Sequence, residues 1–312
     1  MQIFFNRPLI GLALLALAPA AAAAPQGFDA RSKGMGGTSV ASSRTWSAPL
    51  HNPALLGMPR EGDNFGVLLP TVAVEGRGRE EYVDDVSAFA DQFDELNARF
   101  GTGTPPTQGE LDALADSLLA LTGEELRFSG QAGVALSVPG ESLGVGLMLR
   151  GNFDSVGLLD IAESDADAIR GALGATELPD LDSEAVIRGG ARAEIGLALA
   201  RQFQLFGIPM AIGLTPKAQT IETINYVSAV EDFEEGRNGE SVDPTDDQFR
   251  TSESVINADF GFAARPTESL TLGLTVTDLV AQDIDSAIVR GTQYAYQLRP
   301  VATAGVALTG RI

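Results

Sequence analysis

Four charged residues are spaced so that they share a surface. Arg150 closes a run in which Gly144, Gly146 and Met148 alternate with Leu143, Val145, Leu147 and Leu149. Arg188, Arg192 and Glu194 alternate in the same way with Ile187, Ala191, Ala193 and Ile195. Successive side chains on a strand point to opposite faces, so the four lie on the small, polar face of apolar-backed strands. There they could line a passage, meet a solute or simply pair with one another. No nucleophile and base accompany them. The chain has no cysteine and one histidine, His51, which removes thiol chemistry, disulfides and His-rich zinc sites. His51 lies between Pro49 and Pro53 and reads as a turn residue. Glu231, Asp232, Glu234, Glu235, Asp243, Asp246 and Asp247 could offer oxygens to Ca²⁺. They lack the twelve-residue EF-hand pattern, and a solvated loop is the simpler reading. No catalytic residue, metal or cofactor is expected, and the chain does not read as an enzyme.

The elements that would position the four charges are ribbons of period two. Phe128–Val138 sets Phe128, Ala132, Val134, Leu136 and Val138 against Ser129, Gln131, Gly133 and Ser137. The pattern predicts eight strands: Phe65–Val74, Phe128–Val138, Leu143–Gly151, Ala185–Arg201, Ile208–Asn225, Ser254–Ala264, Leu270–Thr277 and Tyr294–Leu308. Pro70 marks the first as an edge or a bulge. The connections alternate short and long. Short ones fall at Pro139–Ser142, Phe203–Gly207 and Arg265–Ser269. Helical spacing of Val83, Val86, Phe89, Ala90, Phe93, Leu96 and Phe100, and of Leu111, Leu114, Ala115, Leu118 and Leu119, predicts two helices in the first long connection. A short helix is expected near Asp165–Leu173.

Charge follows the same division. Of the 42 Asp and Glu, 32 fall in the four long windows 75–127, 153–185, 226–251 and 281–293, and the strands are close to neutral. A formal net charge of −21 argues against nucleic-acid binding. Apolar-out, polar-in strands with alternating short turns and long loops describe an antiparallel up-and-down transmembrane β-barrel. Residues 1–24 carry Arg7, the apolar run Leu9–Ala18 and the small residues Ala20–Ala24, the pattern of a signal peptide. Export to a cell outer membrane follows, with membrane lipid as the first partner. The expected organisation is a signal peptide at 1–24, a Gly-rich plug-like segment at 25–60 and a barrel domain at 61–312. A soluble secreted β-protein is the alternative outside this class.

The segment Ala30-Arg31-Ser32-Lys33-Gly34-Met35-Gly36-Gly37-Thr38-Ser39-Val40-Ala41, followed by Asn52-Pro53-Ala54, resembles the start of the barrel family of conjugal transfer protein TraF. It is more loosely similar to FadL-type fatty-acid channels. Gly213-Leu214-Thr215-Pro216-Lys217 and Leu272-Gly273-Leu274-Thr275-Val276 look like the same group. The resemblance implies that Gly34, Gly36, Gly37, Asn52 and Pro53 belong to a segment near or inside the barrel. It implies an accessory or structural role in conjugation or envelope assembly, with proteins of those systems as partners. A channel for hydrophobic solutes is the alternative. The thioredoxin-like protein that shares the TraF label is different, since a cysteine-free chain cannot do its redox work. A barrel of the FadL type would have about fourteen strands, so the eight here are expected to form part of a larger barrel. Phe65–Val74 and Tyr294–Leu308 would then be left as unpaired edges. On the barrel reading, Gly196→Arg on the lumen face should be tolerated better than Ile195→Arg on the lipid face.

Overall fold

A computed structural model describes residues 32, 39–79, 82–229 and 246–309. The expected signal peptide, Gly34, Gly36, Gly37 and the acidic run 231–243 lie outside them.

The chain is all-β: an antiparallel eight-stranded sheet curled into a half-barrel, with a few short helices in its connections. The strands are β1 (Gly66–Arg77), β2 (Glu125–Val138), β3 (Gly144–Asp160), β4 (Glu184–Leu205), β5 (Ile208–Ala229), β6 (Arg250–Thr267) and β7 (Leu270–Thr277), followed in space by β10 (Val301–Leu308). Between β7 and β10 lies a separate hairpin, β8 (Gln282–Asp285) and β9 (Ala295–Leu298). Among the described residues, β1 and β10 pair with a strand on one side only. No helix among the described residues is long and apolar enough to cross a membrane.

Alternating short and long connections are present. Phe206 and Gly207 both have positive φ and join β4 to β5, the geometry of a two-residue hairpin turn. The long connections carry α2 (Tyr82–Arg99), α3 (Gln108–Ala120) and α4 (Glu163–Arg170), while α1 (Ala48–His51) precedes the sheet. Phe89, Phe93 and Leu96 of α2, Leu111, Leu114 and Leu118 of α3, and Ile169 of α4 form one core with Leu159 and Ala185 at the long-loop end of the sheet. At the start of α3, Glu110 accepts from the Thr107 backbone N–H at 2.7 Å and from Arg99 at 2.6 and 3.1 Å, tying the end of α2 to the start of α3.

Three strand assignments need correction. β3 runs well past its expected end at Gly151 and continues to Asp160, paired residue for residue with β4 through the acidic window. Ladder hydrogen bonds on both sides carry the strand through residues whose side chains alone suggested a loop. Pairing likewise carries β6 through most of the expected turn at Arg265–Ser269, to Thr267. Finally, Tyr294–Leu308 is not one strand. Pro300, without an N–H, stands between β9 and β10. Tyr294 turns inward, where its hydroxyl donates to carbonyl oxygens of Gly189 and Ile224 at 2.5 and 2.7 Å. Pro70 lies on an edge strand at a register shift between Leu68 and Thr71.

Candidate functional site: the packed concave face

The two faces of the sheet differ in chemistry. The convex face presents Val67, Leu69, Val72, Phe128, Leu136, Leu147, Leu149, Phe153, Ile195, Leu197, Ile212, Leu214, Ile256, Leu274 and Val306, all substantially exposed. The concave face carries Gly, Ala, Ser and Thr at the short-turn end and charged groups further along. It is filled in three tiers.

The first tier is the segment 39–58. Ala48, Ala54, Leu55, Leu56 and Met58 pack on Ala198, Ala200, Ala211 and Ala263. Small residues are required here because backbone lies directly on the sheet. A Cβ at Gly213 would meet Ala54 N at 2.5 Å, and one at Gly261 would meet Asn52 Oδ1 at 2.3 Å. Asn52 is fully buried. Its Nδ2 donates to Val40 O at 2.7 Å and Phe262 O at 3.1 Å, and its Oδ1 accepts from Ala54 N at 3.1 Å. Pro53 is buried at the start of the short 3-10 helix that Asn52 caps. Leu56 O accepts from Gly140 N at the β2–β3 turn, which anchors the segment at that end.

The second tier is an ion cluster drawn from four consecutive strands, β3 to β6, and from Asp278 just after β7. Glu194 of β4 accepts from Arg150 of β3 at 2.7 Å and also faces Arg192 at 2.7 Å. Lys217 of β5 points its Nζ at Glu194, Asp259 and Asp278, at 3.0, 2.7 and 2.6 Å. Arg150 also reaches Asp259, at 3.2 Å, and Arg192 reaches Asp278, at 3.0 Å. Three cations thus face three carboxylates, every one of them buried. The three carboxylates converge on the ammonium of Lys217. No group of three or more His, Asp or Glu among the described residues is arranged to hold a metal.

The third tier is the β8–β9 hairpin, folded onto the concave face at the long-loop end. Asp278, in the left-handed region, starts the inward path, and its N–H donates to Asp259 at 2.8 Å. Ile284 and Leu298 cover Ile221. Asn225 Nδ2 donates to Ala287 O and Thr292 O at 2.9 and 3.1 Å. Tyr296 lies against Gly190, and its hydroxyl donates to Asp154 at 3.1 Å.

Of the residues singled out from sequence, Arg150, Arg192 and Glu194 come together in the cluster. Arg188 does not join them and instead sits 5.9 Å from the ring centre of Tyr294. Asn52 and Pro53 lie on the concave face, and His51 is buried beside them. Sequence reasoning did not find Lys217 or Asp278 as partners, nor Gln219, whose Nε2 donates to Asp278 at 2.9 Å. For Lys217 a signal existed, because it is one of two lysines in the chain and falls on the polar face of its strand. Asp278 gave none, because it follows the last alternating residue and its side chain is set by the turn. Ion pairs of the cluster run between neighbouring strands and tie them together on the concave face.

The sequence pattern of one family, described as "F plasmid transfer operon, TraF, protein", matches residues 49–312. No curated protein and no solved structure matches, so the looser likeness to FadL-type channels has no support beyond the strings that suggested it.

Proposed function

Since the chain belongs to the F plasmid transfer operon TraF family, we propose that it is an outer-membrane β-barrel protein with an accessory or structural role in conjugal transfer. Segment 39–58 then acts as a plug. The observation that carries the proposal is the inversion of the sheet: apolar side chains face outward and charges are buried inward. From Ile195 to Leu205 the outer face of β4 is apolar apart from Arg201. Ten residue steps at about 3.3 Å rise to about 33 Å. With a strand tilt of about 40° they cover about 25 Å of height, the span of the apolar band on such barrels. Arg201 lies close to the short-turn end, where a long side chain reaches the interface.

The same reading places the short turns in the periplasm and the acidic connections outside. The tiers on the concave face favour a packed scaffold over an open passage for hydrophobic solutes. Membrane lipid and other envelope or transfer proteins are the expected partners, and no catalytic activity is proposed. Ile195→Arg separates a membrane protein from a soluble one. Ile195 is 53% exposed, so in water the change costs little. Facing lipid it costs about 2–4 kcal/mol and should deplete the protein from the outer-membrane fraction. Full recovery of the wild-type protein in soluble form without detergent would refute the proposal.

A further inference from the structure

The short turns joining β2 to β3, β4 to β5 and β6 to β7 share one height, and an exposed phenylalanine stands there. Followed along the strand pairings, the centres of these turns step in one direction, by about 1.25 residues per strand. Each step is a rise of about 4 Å against a strand spacing of about 4.8 Å, which corresponds to a strand tilt of about 40°. Tilted by that angle, the sheet brings the turns close to a single plane, at the end of the apolar stretch Ile195–Leu205. The tip of the β4–β5 hairpin reaches about 4 Å beyond the plane of the other two.

Phe206 occupies that tip. It is 92% exposed and left-handed, with φ 54°, and Gly207 follows with φ 77°. A two-residue turn of this kind favours Asn or Asp before Gly, since their short polar side chains tolerate positive φ. A bulky apolar residue there is an outlier. Phe65, Leu143 and Leu205 are also exposed at this end of the sheet.

We propose that Phe206 seats in the headgroup layer of the periplasmic leaflet and, with Phe65 and Leu143, fixes how deep the sheet sits in the bilayer. The inference rests on the proposal that the convex face meets lipid. The headgroup layer adds about 5–8 Å outside the hydrocarbon on each side, so a tip about 4 Å beyond the turns ends inside it. Membrane barrels carry aromatic residues at this level. A lipid surface fits better than a protein partner, because the exposed side chains run on from the outer face of β4, through Leu197, Leu199, Phe203 and Leu205, rather than forming a separate patch.

The test uses the full chain in phosphatidylcholine vesicles, with Trp46, its single tryptophan, changed to Phe. Phe206→Trp then carries all the tryptophan emission. Leu199→Trp, in the same background, is the control in the middle of the band. The vesicles contain phosphatidylcholine brominated either near the headgroup end or near the methyl end of its chains. Bromine near the methyl end should quench Leu199→Trp more strongly. Bromine near the headgroup end should quench Phe206→Trp more strongly. Phe206→Asn gives an independent reading. Asn suits the left-handed turn, so at a solvated tip it would leave the protein at least as stable. A tip seated in the headgroups loses its apolar contact, and the folded-to-unfolded ratio in urea should drop by about tenfold. Quenching of Leu199→Trp without quenching of Phe206→Trp would overturn this inference, leave the lipid-facing sheet standing and point to a periplasmic protein as the occupant. Stronger quenching of Phe206→Trp by the deeper bromine would also overturn it, as would a Phe206→Asn variant as stable as the unaltered chain. Absence of quenching in both Trp variants would overturn the lipid-facing sheet and this inference with it.

Discussion

Removing one charge from the buried cluster should be far more harmful than removing two opposite ones. Lys217 Nζ lies 2.6 Å from Asp278 Oδ1, and both groups are buried. At an effective dielectric of about 20, two unit charges at that distance attract by about 6 kcal/mol. Much of that attraction offsets the loss of hydration, so the net value of the pair is small. Breaking it one-sidedly is a different matter. Lys217→Met leaves three carboxylates facing two guanidinium groups, and Asp278→Asn leaves the reverse imbalance. Each should destabilise the fold by about 3–5 kcal/mol. Asn keeps the size of Asp and tolerates the positive φ at 278, so that variant tests charge rather than backbone strain. The double variant restores neutrality and should recover at least about 2 kcal/mol of the summed loss. Urea unfolding in lipid vesicles, followed by the heat-modifiable shift on electrophoresis, gives the four corners of the cycle. Additive losses within about 0.5 kcal/mol would show that the cluster is not an electrostatic unit.

Gly261→Ala, whose new Cβ would strike Asn52, should loosen segment 39–58 at a cost of about 1–3 kcal/mol and expose it to protease, whereas Gly305→Ala, with its nearest neighbour at 3.4 Å, should not. Asn52→Ala orphans two buried carbonyls and should cost about 1–3 kcal/mol in the same assay; protection equal to wild type would disprove the pinning role. Arg99 and Thr107 hold the Glu110 carboxyl down at about 2 against an ordinary 4.5. A lowered folded value means its stabilisation is complete above 4.5 and is lost as pH falls from there toward about 2. Protection of the amides over 82–120, taken relative to their intrinsic exchange rates at each pH, should therefore fall across that window, and an identical profile in Glu110→Gln would exclude this carboxyl as the cause.

The faces of the strands were legible because alternation reports side-chain direction whatever lies on either side. Leu147 and Ile195 are outward, Arg150 and Glu194 inward, as the pattern required. What alternation does not report is how full the inner side is. Gly196 shows the difference. Seen as a lumen position, it should accept Arg; in the structure a mere Cβ there would meet Met148 at 2.7 Å and Thr215 at 2.9 Å. Gly196→Arg is therefore expected to be as damaging as Ile195→Arg, by crowding rather than by desolvation. Strand ends were illegible for another reason. Asp154 and Asp160 look like loop residues, but their backbones are paired across β3 and β4, a long-range fact that no local window contains. The inward hairpin was hidden in the same way, since its hydrogen bonds run to residues about 70 to 105 positions away, such as Ile224 and Gly189.

The seating of Asn52 sets an order of assembly. Its side chain donates to Phe262, 210 residues later in the chain. The cradle around it is completed by β6 and β7, so the part of this bed that is synthesised first must wait for the part synthesised last. Contacts of such long separation close slowly. Until they do, Leu55, Leu56 and Met58 remain uncovered and available to the wrong partner. The early segment is thus a late-folding one, and a holding chaperone would have those three residues to shield in the interval.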